Sequence, residues 1–311
     1  MQSRMLMTFY GPPLTVHSGL ARYAKSGGVY IILFSAVRKG PRGDEEPRQI
    51  GFACATSAQG PYVDTIGAPL VTDDCKGVID PSLLVLDSGD TYLYWKYNGN
   101  QTYPGGSPEE PTRIIGQQIS FGSAQNGSIA PALLGEAVDL LVNDKTTWEG
   151  DYIEAPFVVQ HNGLFYLLYS GDCSDIPNTR PYAVGYAVSE APLGPFVKWP
   201  APILRPIAEA PGPGSCSVVD GGSGRAVCLY HAFPGGNGPF LYVDELRWAD
   251  NRIPAFKGAV PNVSEQPSVV GAGGLSRSIA TAPLSDGRPQ IITPGSDGGF
   301  SVSLSAELSV T

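Results

Sequence analysis

Residues 184–195, VGYAVSEAPLGP, repeat residues 50–61, IGFACATSAQGP, without a gap. Gly185 aligns with Gly51, Tyr186 with Phe52, Ala187 with Ala53, and Gly194-Pro195 with Gly60-Pro61. Each copy is preceded by a turn and an aromatic-aliphatic strand. That strand runs 28–35 (GVYIILFS), 89–95 (GDTYLYW), 163–170 (GLFYLLYS) and 225–231 (RAVCLYH). A spacing of roughly 60 to 70 residues is the size of a four-stranded blade with generous loops. One such unit cannot bury both its faces, and radial stacking solves the problem. A β-sandwich is the competing arrangement, but it gives no reason for a Gly-aromatic strand to recur at blade spacing. The expected fold is an all-β propeller with four clear blades plus a partial one. Residues 1–266 form its catalytic-type domain, expected to be incomplete at the N-terminal side. The Gly/Ser-rich tail, 267–311, carries strands near Arg288–Ile292 and Gly299–Leu304 and is a candidate to close the ring. Only Pro131–Asp144 has an arguable helical run.

Composition supports this reading. The 311 residues include 39 Gly and 29 Pro, and only 16% are charged, which leaves little material for long surface helices. A net charge of −9 argues against a nucleic-acid partner, which needs clustered Lys and Arg. No stretch approaches the ~18 continuous apolar residues of a membrane span. Residues 1–8 lack the apolar centre of a signal peptide, while Asn100, Asn126 and Asn262 open formal glycosylation triplets. A secreted, monomeric protein whose leader lies outside this chain is expected. The five cysteines form no CxxC pair and have no neighbouring His, so no zinc site is expected. Cys216 and Cys228 flank a strand–turn–strand centred on Gly222. A cross-strand disulfide and two buried thiols are both open there. His17, His161 and His231 are scattered and give no triad.

Two constellations carry chemistry. Ile79-Asp80-Pro81 heads an apolar strand that leads to Asp87, Gly89 and Tyr92. Glu154-Ala155-Pro156 heads another, leading to Gly163 and Tyr166. The innermost strand of a blade starts near the central channel, so both carboxylates are expected to enter it from adjacent blades. Two such groups can push each other's proton affinities apart and keep one protonated. Trp148, Trp95 and Tyr97 are candidates for a sugar-stacking wall, with packing between blades as the alternative. Arg180 is a candidate for reaching a substrate hydroxyl. Asp87, Asp90, Glu149 and Asp151 read as solvated loop carboxylates.

Over about residues 10 to 265 these motifs resemble glycoside hydrolase family 43. Its members are five-bladed propellers that include α-L-arabinofuranosidases, β-xylosidases and arabinanases. The Glu154 motif is similar to the family's general-acid motif, and Ile79-Asp80-Pro81 to its second-carboxylate motif. The resemblance implies inverting hydrolysis of α-L-arabinofuranosyl or β-xylosyl linkages in plant polysaccharide. Glu154 would donate the proton, Asp80 would tune it, and a third carboxylate would activate water. The family's base lies in an Asp-Pro of the first blade. This chain has no Asp before Asp44, so it reads as starting one blade late, with Asp286 the remote candidate. Ser215 stands where the family has a His that helps hold a channel ion or water. That puts a channel metal in doubt, and no cofactor is expected, since two carboxylates and a water suffice for the chemistry. The rival readings are an inactive sugar-binding propeller or truncated product lacking the base, and a fructan-cleaving relative of family 32.

Overall fold

The computed structural model describes residues 28–37, 47–101, 109–123, 127–172, 182–208, 210–220, 226–233 and 239–246 with their side chains, together with Trp248. Elsewhere it describes only the backbone of strands. Among the described residues there is no helix.

In chain order, β1 (Ser3–Met5), β2 (Met7–Thr8) and β3 (Leu14–Thr15) are short. They are followed by β4 (Arg22–Ser26), β5 (Val29–Arg38), β6 (Gln49–Ala55) and β7 (Tyr62–Val63). The next meander is β8 (Val78–Val85), β9 (Thr91–Tyr97), β10 (Arg113–Phe121) and β11 (Pro131–Val142). Then come β12 (Ile153–His161), β13 (Leu164–Gly171), β14 (Ala183–Ser189) and β15 (Val197–Lys198). A further meander is β16 (Gly214–Asp220), β17 (Ala226–Ala232), β18 (Phe240–Asp250) and β19 (Ala259–Val263), with β20 (Ser268–Val269) also on β18. Last are β21 (Ala280–Pro283), β22 (Pro289–Pro294) and β23 (Phe300–Leu304).

These strands make five sheets. The sheet built on β5 contains β2, β3, β4, β6 and β7, and the fifth has the order β1-β23-β22-β21. The first strand of the chain thus pairs antiparallel with the last, Ser3 opposite Val302. The inner strands touch in cyclic order, β4 with β8, β8 with β12, β12 with β16, β16 with β21, and β21 with β4. Five sheets whose innermost strands close on one another form a five-bladed propeller.

The core explains the aromatic-aliphatic strand. Side chains of a strand alternate between its faces. On β13, Leu164, Tyr166 and Leu168 pack towards β16–β18, with Tyr186, Cys228, Tyr230 and Tyr242. Its other face sends Phe165, Leu167 and Tyr169 towards β8–β11, with Tyr94, Ile114 and Leu140. Every residue of β13 is buried. β9 divides likewise, Leu93 and Trp95 towards β5–β6 and Tyr94 towards β12–β13. Strands buried on both faces read as continuous apolar runs, which is why the repeat is so dense in Leu and Tyr.

The 50–61 and 184–195 repeats share their backbone, with Gly60 and Gly194 both at φ +83°. The helical run at 131–144 is not borne out, since residues 131–142 form β11, the outermost strand of its sheet. β10 offers it a ladder from Arg113–Val142 to Phe121–Pro131, and only Leu140 and Leu141 are buried. The helical spacing of Leu134, Val138 and Leu141 is overridden by the pairing that the edge of β10 offers. Cys216 and Cys228 form a disulfide with Cα atoms 6.2 Å apart. They are not direct partners. The ladder next to the turn pairs Asp220 with Ala226, so Val218 rather than Cys216 stands opposite Cys228, and Cys216 lies within the register shift between Gly214 and Ser217.

Candidate active site

The heads of β8, β12 and β16 share one device. Each has a register shift, between Ile79 and Ser82, Glu154 and Phe157, and Gly214 and Ser217. Each places a non-glycine residue in the left-handed region, Asp80 at φ +56°, Ala155 at +52° and Ser215 at +54°. Such residues are uncommon and persist where surrounding contacts over-determine them. Here the contact comes each time from another blade. Asp80 N–H donates to Ser35 Oγ at 3.1 Å, and Ser215 N–H donates to Ser170 Oγ at 2.9 Å. Ala155 N–H donates to Asp80 Oδ2 at 3.0 Å.

The two expected carboxylates therefore meet through the backbone, and their positions are not equivalent. Asp80 occupies the left-handed position itself, whereas Glu154 precedes it. The bulge presents the Glu154 side chain to two partners that the sequence reading missed. Glu154 Oε2 accepts from Lys96 Nζ at 2.9 Å, and Glu154 Oε1 accepts from Tyr182 Oη–H at 2.6 Å. The Lys96 side chain is 3% exposed and that of Glu154 17%. Lys96 also lies 4.7 Å from the centre of the Tyr152 ring. Tyr182 stacks on His231 with ring centres 5.6 Å apart, and its ring fills the space where Gly214 would carry a Cβ.

Burial by itself drives the Glu154 carboxyl upward. The Lys96 ammonium, the Tyr182 hydroxyl and the Lys96 hydrogen bond outweigh it and hold the group below the ordinary glutamate range. Burial, with the adjacent Glu154 charge, pushes the Tyr182 phenol far up, so it stays a hydrogen-bond donor. Glu154 is thus a carboxylate in the resting site, and its dominant charged neighbour is Lys96. The expected tuning by Asp80 takes a different form, since one Asp80 oxygen is engaged by the Ala155 amide.

The other candidate residues lie as follows. Trp95 is 3% exposed, between Leu33, Phe52 and Leu93, and presents no open face for stacking. Tyr97 is buried, donates to Glu110 Oε2 at 3.1 Å and is covered by the Arg113 guanidinium at 4.2 Å. Trp148 is half-buried and stacks on Tyr169 at 5.5 Å, its indole filling the space beside Gly171 and Gly185. The expected aromatic wall is consequently packing material between strands. Glu149, expected to be solvated, is 1% exposed. It accepts from Tyr169 Oη–H, Lys198 Nζ and the Asp144 amide at 2.6 to 2.7 Å, anchoring the loop that carries Trp148. Arg180, Asp44 and Asp286 lie outside the described residues. Among the described residues no three His, Cys, Asp or Glu cluster as metal ligands would.

A signal for Lys96 was present. Counting seven residues from the turn glycine before each strand, Gly28, Gly89, Gly163 and Gly224, reaches Ser35, Lys96, Ser170 and His231. Ser35 and Ser170 use that position to hold a left-handed residue of another blade, and Lys96 uses it to hold Glu154. Tyr182 had no such signal, because its repeat counterpart is Arg48.

The sequence model of the glycosyl hydrolases family 43 matches residues 21–254. A β-D-galactofuranosidase of Aspergillus niger is 29% identical over 161 residues, 50% of this chain and 38% of that protein. An arabinoxylan arabinofuranohydrolase of Bacillus subtilis is 30% identical over 164 residues, 47% of this chain and 28% of that protein. The chain spans well under half the length of these curated relatives. Among solved structures, a thermostable family-43 glycoside hydrolase is similar with a TM-score of 0.60 and 25% identity, over 82% of this chain and 76% of that one. An exo-1,5-α-L-arabinanase from a bovine ruminal metagenomic library shares the fold, with a TM-score of 0.57 and 15% identity over 79% and 77% of the two chains. The matched span begins just before β4, runs through both carboxylate-bearing strands and ends past β18; the chain belongs to family 43 of the glycosyl hydrolases.

Proposed function

We propose that this chain is a glycoside hydrolase that cleaves α-L-arabinofuranosyl or β-xylosyl linkages of plant polysaccharide with inversion. Glu154, in its protonated form, gives its proton to the glycosidic oxygen as the bond to the sugar carbon breaks. Water adds its hydroxyl to that carbon, and its proton passes to a carboxylate on the opposite side. Asp80 fixes the bulge that aims Glu154, through the Ala155 amide. The observation that carries this reading is Glu154 itself, a carboxylate at the head of an inner strand, gripped at both oxygens by Lys96 and Tyr182. The names of the relatives support a furanoside as substrate.

The tail strands β21–β23 count as part of the propeller domain. The substrate is an oligo- or polysaccharide, the chain acts as a monomer, and carboxylates and water suffice without a cofactor. The Cys216–Cys228 bond supports a secreted protein, since disulfides persist in oxidising compartments.

A second reading is favoured by one observation. A Glu154 held ionised by Lys96 suits a site that binds sugar without cleaving it. Hydrolysis of aryl α-L-arabinofuranoside and aryl β-xyloside separates the two. The enzyme reading expects turnover that falls about 10²–10⁴-fold in Glu154→Gln, the usual worth of a general acid. Folded protein that binds arabino- or xylo-oligosaccharides yet turns over neither substrate supports the binding reading instead.

A further inference from the structure

We propose that Lys96 is a positioning residue that sets when Glu154 carries its proton, and so fixes the alkaline limit of activity. This rests on the reading of Glu154 as the acid.

Ser35 and Ser170 are neutral hydroxyls at the position that Lys96 occupies, and each of them supports the backbone of another blade. A hydroxyl is enough to satisfy an amide. Lys96 instead brings a full charge into a strand whose neighbours Tyr94, Trp95 and Tyr97 are buried. A buried ammonium is costly unless it is paired, and Glu154 Oε2 at 2.9 Å is its partner. The Tyr152 ring at 4.7 Å adds a weaker attraction for the same charge.

Lys96 is the one cation in hydrogen-bond contact with Glu154 among the described residues. The other groups facing Glu154 act differently. Tyr182 donates a hydrogen bond from the segment before β14. Ser170 on β13 is its backbone partner across the sheet. His231 on β17 lies behind Tyr182 and lowers the Glu154 carboxyl further, as the last-ranked influence. Asp80 on β8 adds negative charge nearby and is engaged by the Ala155 amide. Removal of Lys96 therefore takes away the largest influence favouring the charged form and leaves burial opposed only by the Tyr182 hydrogen bond and the weaker His231 influence, so the balance moves toward the protonated form. The acid's proton then survives to higher pH, and the alkaline limb of the rate profile follows it.

The test compares wild type, Lys96→Met, Lys96→Arg and Glu154→Gln, each checked for an unaltered melting transition. Lys96→Met keeps the apolar stem and removes the charge, and Lys96→Arg keeps the charge. On p-nitrophenyl α-L-arabinofuranoside or β-xyloside, the ratio of kcat/KM at pH 7 to that at pH 5 is expected to rise about tenfold or more in Lys96→Met. In Lys96→Arg it stays near wild type. An unchanged ratio in Lys96→Met overturns the proposal. A second readout does not depend on turnover. The infrared carboxyl band lost in Glu154→Gln reports the protonation of Glu154 directly, and it should persist to higher pH in Lys96→Met. If that band titrates identically with and without Lys96, the proposal fails even in an inactive protein. If Glu154→Gln keeps full activity while the band still shifts, Lys96 controls Glu154, and it is the reading of Glu154 as the acid that fails.

Discussion

At the scale of single residues, the site depends on a glycine that carries no chemistry. Gly214 leaves room for the Tyr182 ring, and a Cβ there would occupy the position of that ring. Tyr182 also stacks on His231, the cross-strand partner of Gly214, which limits how it can move. Gly214→Ala is expected to pull the phenol away from Glu154 Oε1 and reduce kcat about tenfold or more, with a smaller change in KM. Steady-state kinetics on an aryl glycoside would measure this. Glu154 was legible in the sequence because its Pro and the apolar run after it mark a strand head. Lys96 follows directly on the 89–95 strand and gave no local sign of its role, because a lysine beside an aromatic strand reads as an outlier until its partner 58 positions away is seen. Trp95 and Trp148 show the opposite failure. Indoles suit both a sugar face and a blade interface, and nothing in the local sequence separates the two.

At the scale of the element, β13 holds its sheet between two others. Leu167 is fully buried in the cluster shared with β8–β11, while Tyr166 and Leu168 serve the cluster shared with β16–β18. Leu167→Ala is expected to cost about 2–5 kcal/mol, the usual range for a buried Leu, with the midpoint of denaturant unfolding falling in proportion. An exposed control, Leu134→Ala on β11, should change stability by less than about 0.5 kcal/mol. This difference also explains why β13 was easily read and β11 was not. A strand buried on both faces leaves an unbroken apolar record, whereas β11, exposed over most of its length, is defined by the free edge of β10. That edge is a tertiary fact, invisible to a local window. The bulges at the heads of β8, β12 and β16 were partly legible, as Asp-Pro and Ala-Pro, but their left-handed residues were not.

At the scale of the whole molecule, closure of the ring is the property on which the site depends. The inner strands meet in cyclic order, with β21 between β16 and β4, and β1 completes the sheet of the tail strands. Spacing of the aromatic strand revealed four of the five sheets. The fifth joins residues from opposite ends of the sequence, where no repeat could announce it. A chain ending at residue 266 should leave the inner edges of β16 and β4 open and melt at least ~5 °C below the full chain, as scanning calorimetry would show. The most direct measurement concerns the acid. Wild type and Glu154→Gln are compared on aryl α-L-arabinofuranosides and β-xylosides whose leaving groups range from nitrophenol to unsubstituted phenol. Nitrophenolate departs with little help from a proton, and phenolate needs more. Loss of activity that deepens steadily as the leaving group worsens is the result expected of Glu154 as proton donor. Activity in Glu154→Gln equal to wild type across the series would contradict it.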